Sequence, residues 1–205
     1  QIGAMSDTYN PFEKKYEVTR EALKLIDKYG FGVAIATKSD LILRDIDILK
    51  NINTHSPVIV KFSITCGDDN LSKVINAGMR YSVPTLGVCA VGKDMERTDR
   101  FFKLATRIIA EMGCQMVKTY NCENFEEVVA ACPVPIVVAG GKKLAEKDAL
   151  TLAYDVISKG ARGVDMGRNI FQSQHPVEMA QAVHKVVHEG FTDKEAYEFY
   201  EDLIH

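Results

Sequence analysis

A lysine stands inside the short apolar run Met116-Val117-Lys118-Thr119-Tyr120. In a parallel strand, a side chain near the end of such a run is walled by neighbouring strands and helices, where an ammonium is poorly solvated. A neutral amine held there can attack a carbonyl carbon and form a Schiff base. The same position also suits a lysine that reaches water at the strand mouth or pairs with Asp165 on a nearby strand, and strand position alone favours that plainer role. Lys61, in Val58-Ile59-Val60-Lys61-Phe62, is placed in the same way but has no glycine turn beside it. Its expected role is structural, paired with a carboxylate.

Two glycine-bearing turns come next. Ala139-Gly140-Gly141-Lys142-Lys143 follows one apolar run, and Asp165-Met166-Gly167-Arg168-Asn169 follows another. Glycines at such turns let backbone N–H groups approach phosphate oxygens, a helix starting just afterwards adds its dipole, and Arg168 adds a bidentate donor. Gly140, Gly141, Gly167 and Arg168 are therefore the candidate phosphate-binding residues, with ordinary turn chemistry as the alternative. Lys93, Asp94, Tyr120 and Asp165 are placed to line the same site.

Other candidates carry less. His184 and His188 are four apart on one helical stretch, the spacing of a metal pair,. They lack an accompanying carboxylate motif, so a solvated face is expected and no metal site is assigned. Cys66 and Cys89 have no local histidine partner and read as small core residues.

The elements that would position these groups are legible. Apolar, β-rich runs fall at 32–37, 58–65, 85–91, 115–120, 135–140 and 163–167. Most lack strict polar alternation, as parallel strands covered on both faces do. Helical spacing fills 12–29, 43–52, 98–112, 123–131, 144–159, 176–188 and 192–203, with a shorter stretch near 69–77. Pro176 suits a first helical position, Thr192 with Glu195 forms a capping box, and Gly30, Gly113 and Gly160 suit left-handed helix ends. Six successive βα units predict an α/β fold with a parallel sheet, a (β/α) barrel or partial barrel. A complete eight-stranded barrel takes about 250 residues, against 205 here. In either architecture function gathers at the C-terminal ends of the strands.

With 25 basic and 28 acidic residues, a formal net charge of -3 and 46% hydrophobic residues, the chain can form a core and gives no electrostatic reason to expect nucleic acid or a membrane surface. No apolar run approaches the roughly 20 residues of a membrane helix. Five scattered cysteines predict no disulfide framework and a cytoplasmic setting,. The opening Gln1-Ile2-Gly3-Ala4-Met5 reads as a processed, tagged or cut-down start.

From about Ala77 onward the chain resembles the class I, archaeal-type aldolase family, and within it the thiolases of a phosphorylated diketone. The match is carried by Ala90-Val91-Gly92-Lys93-Asp94-Met95, Val117-Lys118-Thr119-Tyr120 and Cys132-Pro133-Val134-Pro135-Ile136. It continues through Ala139-Gly140-Gly141-Lys142-Lys143 and Gly163-Val164-Asp165-Met166-Gly167-Arg168-Asn169-Ile170-Phe171-Gln172. The resemblance implies a small phosphorylated substrate, Lys118 as its Schiff-base lysine, a phosphate held by Gly140, Gly141, Gly167 and Arg168, and no cofactor. It also implies an aspartate near the start of the barrel and, in one branch, a tyrosine acid where this chain has Ala90-Val91-Gly92.

Residues 1–75 differ. Thr37-Lys38-Ser39-Asp40-Leu41-Ile42-Leu43-Arg44-Asp45 and Val60-Lys61-Phe62-Ser63-Ile64-Thr65 resemble internal barrel units of radical S-adenosylmethionine enzymes related to spore photoproduct lyase. The CxxxCxxC of that family is absent, so no iron–sulfur cluster is expected. The seam falls near Ile75–Gly78. The expectation is one barrel-like domain of composite origin, 1–75 and 76–205, an aldolase or thiolase weakened by the loss of its own first strands. The alternative is a non-catalytic scaffold that keeps the phosphate site. A sheet that fails to close has edges a second copy could cover, making a homo-oligomer.

Overall fold

The computed structural model describes residues 2–3, 6–64, 69–89, 91 and 96–205. Cys66, Lys93 and Asp94 lie outside the described residues. The chain forms two compact units: residues 1–90 with 108–117, and residues 91–107 with 118–205.

The first unit opens with α1 (Glu13–Tyr16) and α2 (Val18–Lys28), followed by β1 (Val33–Thr37), a 3-10 turn (Asp40–Asp45) and α3 (Ile46–Ile52). Strand β2 (Val58–Ile64), α4 (Asp69–Arg80) and β3 (Thr85–Cys89) complete it. Helix α5 (Asp99–Glu111) and β4 (Met116–Thr119) contribute residues to both units. In the second unit come α6 (Phe125–Ala131), β5 (Ile136–Ala139), α7 (Glu146–Ser158), β6 (Gly163–Asp165), α8 (Arg168–Phe171), α9 (Pro176–Glu189) and α10 (Asp193–Ile204).

Strand order follows the chain, β1-β2-β3-β4 in the first unit and β4-β5-β6 in the second. Val33 lies opposite Val58, Val60 opposite Thr85 and Ala139 opposite Asp165, all in parallel pairing. The predicted βα alternation is therefore observed. Burial alternates along β1, β4 and β5, however: in β1, Val33, Ile35 and Thr37 are buried while Ala34 and Ala36 are half-buried. One face is packed under helices and the other stays partly open, which the continuous apolar runs conceal.

The predicted helix over 12–29 is broken at Glu17, which adopts a left-handed conformation with φ 50°. The cause is local. The buried Glu13 carboxylate accepts the Thr19 N–H at 3.1 Å and caps α2 from one turn upstream,. Arg44 donates to Glu13 Oε1 and Asp45 Oδ2, both at 2.9 Å, Arg20 reaches Asp45 Oδ1 at 2.7 Å, and the Tyr9 hydroxyl donates to Asp45 Oδ2 at 3.1 Å. This network fastens residues 9–20 to the 3-10 turn. Ahead of it, Ile2 extends the sheet: its N–H donates to Ala34 O at 2.8 Å and its carbonyl accepts from Ala36 N–H at 3.0 Å. A side chain at Gly3 would meet Ala36 O at 2.5 Å, so glycine is required there.

The expected caps are present. Gly30, Gly113 and Gly160 have positive φ, and Thr192 and Glu195 close a reciprocal capping box on α10,. Among the described residues no helix is long and apolar enough to cross a membrane.

Candidate active site at the ends of three strands

In β4, Val117 and Thr119 are buried, leaving Lys118 on the partly open face. Strand β6 carries Asp165 on the corresponding face, and its parallel register with β5 sets Asp165 beside Ala139, at the start of the glycine turn. Lys118 Nζ donates to Asp165 Oδ2 at 3.0 Å. Each side chain keeps 22–24% of its surface, so the pair is partly buried and still open to solvent. The plainer pairing anticipated for Lys118 is what forms, and it joins the two groups that Schiff-base chemistry would also need: an amine and a proton acceptor beside it.

The turn after β5 is built around absent side chains. A Cβ at Gly140 would lie 2.7 Å from Met166 Cγ and 2.8 Å from Asn169 Nδ2. Gly141 has φ 68° and open space on its side-chain side,. The Gly140 N–H donates to Asp165 O at 3.3 Å, which ties the two turns together. Arg168 Nη2 donates to Gly141 O at 2.6 Å. Gly167 is exposed at the entry to α8 and Lys142 is exposed on the turn, while Lys143 pairs with Glu146 at 2.9 Å. That hydrogen bond from Lys143 holds the Glu146 carboxyl below its ordinary value. Gly140, Gly141, Gly167 and Arg168 thus come together on adjacent strand ends.

Two residues depart from the expected lining. Tyr120 turns its ring toward α5, where Phe102 lies 6.5 Å away and the Arg97 guanidinium covers its face at 4.3 Å,. Asn169, not singled out from the sequence, is fully buried between the turns: Nδ2 donates to Gly140 O at 2.9 Å and Oδ1 accepts from Leu144 N–H at 2.8 Å. A carboxamide directly after Gly167-Arg168 was the available signal. Elsewhere Lys61 lies half-buried in β2. The His184 and His188 rings lie 4.6 Å apart, tilted by 41°, on the exposed side of α9, with His184 beside Glu189.

Residues 88–173 match the model of the DeoC/LacD family aldolases. Over 132 residues, 64% of this chain, the sequence is 58% identical to the 3-hydroxy-5-phosphonooxypentane-2,4-dione thiolase of Escherichia coli (strain K12). An uncharacterized aldolase of Pasteurella multocida (strain Pm70) is 55% identical over 134 residues. The chain spans about half the length of these curated relatives, 45% of the first and 46% of the second. Among solved structures, an archaeal fructose 1,6-bisphosphate aldolase superposes with a TM-score of 0.61 at 21% identity, covering 88% of this chain and 86% of that one. The fold is accordingly α/β and of TIM-barrel type, and residues 88–173 are similar to the DeoC/LacD aldolases.

Proposed function

We propose that this protein is a class I aldolase- or thiolase-like enzyme acting on a small phosphorylated ketone or sugar phosphate. The observation that carries the reading is the Lys118–Asp165 pair at 3.0 Å beside the paired glycine turns. In the proposed reaction Lys118 passes a proton to Asp165 and attacks the substrate carbonyl carbon. The carbinolamine loses water to give an iminium. Asp165 returns its proton to the departing water. It can then take the substrate hydroxyl proton as the iminium accepts the electron pair of the breaking carbon–carbon bond. An aldehyde leaves, and protonation and hydrolysis of the remaining enamine free Lys118. The substrate phosphate lies against Gly140, Gly141, Gly167 and Arg168, which would hold the carbonyl in line with Lys118.

We further propose that turnover is low compared with the longer relatives, and that residues 1–75 descend from a different barrel family. Similarity to the relatives covers 64–65% of the chain, which leaves a separate origin open for the remainder. A phosphate-binding scaffold without turnover is the second reading, favoured by the engagement of the Lys118 amine with a carboxylate.

Borohydride reduction in the presence of dihydroxyacetone phosphate, followed by intact mass, separates them. A covalent adduct that disappears in a folded Lys118→Ala variant supports the enzyme. No adduct at millimolar ketone sinks it, and phosphate binding without an adduct establishes the scaffold.

A further inference from the structure

We infer that Asn169 is the positioning residue of the phosphate site: its side-chain amide sets the Gly140–Gly141 peptide so that the Gly141 N–H faces the ligand. The inference deepens the phosphate-binding reading above and rests on it.

A trans peptide carries its C=O and N–H on opposite sides. Asn169 Nδ2 pulls the Gly140 carbonyl toward the buried interior at 2.9 Å, so the N–H of the same peptide, that of Gly141, must project the other way. Arg168 does the same to the next peptide. Its Nη2 holds Gly141 O at 2.6 Å, which points the Lys142 N–H away from the Arg168 guanidinium,. Among the described residues the N–H groups of Gly141, Lys142 and Lys143 donate to no protein acceptor, whereas those of Gly140 and Leu144 are both engaged. Two successive N–H groups without a protein acceptor, around a residue with φ 68°, are the ingredients of a concave anion-binding turn,.

The two peptides are not equally held. Arg168 is exposed, and its guanidinium can turn from Gly141 O to a ligand. Asn169 is fully buried, it also accepts from Leu144 N–H, and it fills the space a Gly140 side chain would need. Both of its hydrogen bonds go to backbone groups of one turn, so no conservative swap preserves them. Aspartate keeps the shape and loses the donor; leucine loses both bonds.

The test compares trapping of Lys118 by dihydroxyacetone phosphate and by unphosphorylated dihydroxyacetone in wild type, Asn169→Asp and Asn169→Leu. A purely structural residue would weaken both substrates alike. The inference predicts that the ketone concentration for half-maximal trapping rises about tenfold for the phosphorylated substrate only, the loss expected for one displaced charge-assisted hydrogen bond. Equal changes, or none, in folded variants overturn it. Should the variants fail to fold, the wild-type protein decides. On titration with inorganic phosphate the amide resonances of Gly141 and Lys142 must shift together. Shifts at Gly167 and Arg168 without Gly141 overturn the inference while sparing the phosphate site, whereas a wild type indifferent to phosphate overturns both.

Discussion

Lys118 and Asp165 stand on different strands, yet Nζ of one lies 3.0 Å from Oδ2 of the other. Bond formation and proton transfer are separate tasks for such a pair, and they can be separated by substitution. Asp165→Asn should leave a borohydride adduct on Lys118 detectable while lowering cleavage by about 10²–10⁴-fold, the usual worth of an acid–base partner. Cleavage is followed by release of the aldehyde fragment. Unchanged cleavage would remove Asp165 from the reaction.

Gly140 tolerates no side chain. In Gly140→Ala the new methyl would press on Met166 and Asn169, and overpacking of this kind costs about 1–3 kcal/mol,. Urea denaturation followed by circular dichroism measures it. Gly141→Ala meets open space but a left-handed backbone, so it should cost less, about 1 kcal/mol,.

The Arg44 network predicts a larger loss. Arg44→Met would leave the buried Glu13 and Asp45 carboxylates without their shared guanidinium, and removing one partner of a buried pair costs about 3–5 kcal/mol,. A drop below 1 kcal/mol in denaturant titration would mean that Arg20 alone holds Asp45.

The same network sets a pH dependence. Burial pushes the Glu13 and Asp45 carboxyls up, but hydrogen bonds from Arg44 to both, and from Arg20 to Asp45, outweigh it and hold them below their ordinary values. Carboxyls lowered in the folded state stabilise it above the unfolded carboxylate range, about pH 4. That stability is lost as pH falls through the lower folded values. Urea midpoints should therefore be steady from pH 7 to 5 and fall from pH 4 to 3, with a shallower fall in Arg44→Met.

Thr192→Ala removes one half of the capping box on α10 and should lower stability by about 1 kcal/mol, readable as a lower melting temperature,.

The strands were legible because runs such as Pro135-Ile136-Val137-Val138 have only one comfortable backbone, and the ends of α9 and α10 because Pro176 and Thr192 announce them. The break at Glu17 was not, since it depends on a hydrogen bond between Glu13 and Thr19 inside a periodic helical pattern. Lys118, Gly140, Gly141 and Arg168 could be nominated from strand ends and turn glycines, because those features are local. Asn169 offered only its carboxamide after Gly167-Arg168, because its importance lies in two backbone partners, at Gly140 and Leu144, that the folded chain brings to it. The direction of the Tyr120 ring depends likewise on Phe102 and Arg97, which are distant in sequence.

The pairing of Ile2 with β1 bears on behaviour at high concentration. An exposed parallel strand edge is a template on which foreign segments can grow. Here the Ala34 carbonyl and the Ala36 N–H are already spoken for by a single residue, seated closely because Gly3 follows it. Ile2 thus covers this part of the β1 edge. Replacing Gly3 would loosen this pairing and offer the Ala34 carbonyl and Ala36 N–H to foreign strands, a change readable as faster aggregation at high protein concentration,.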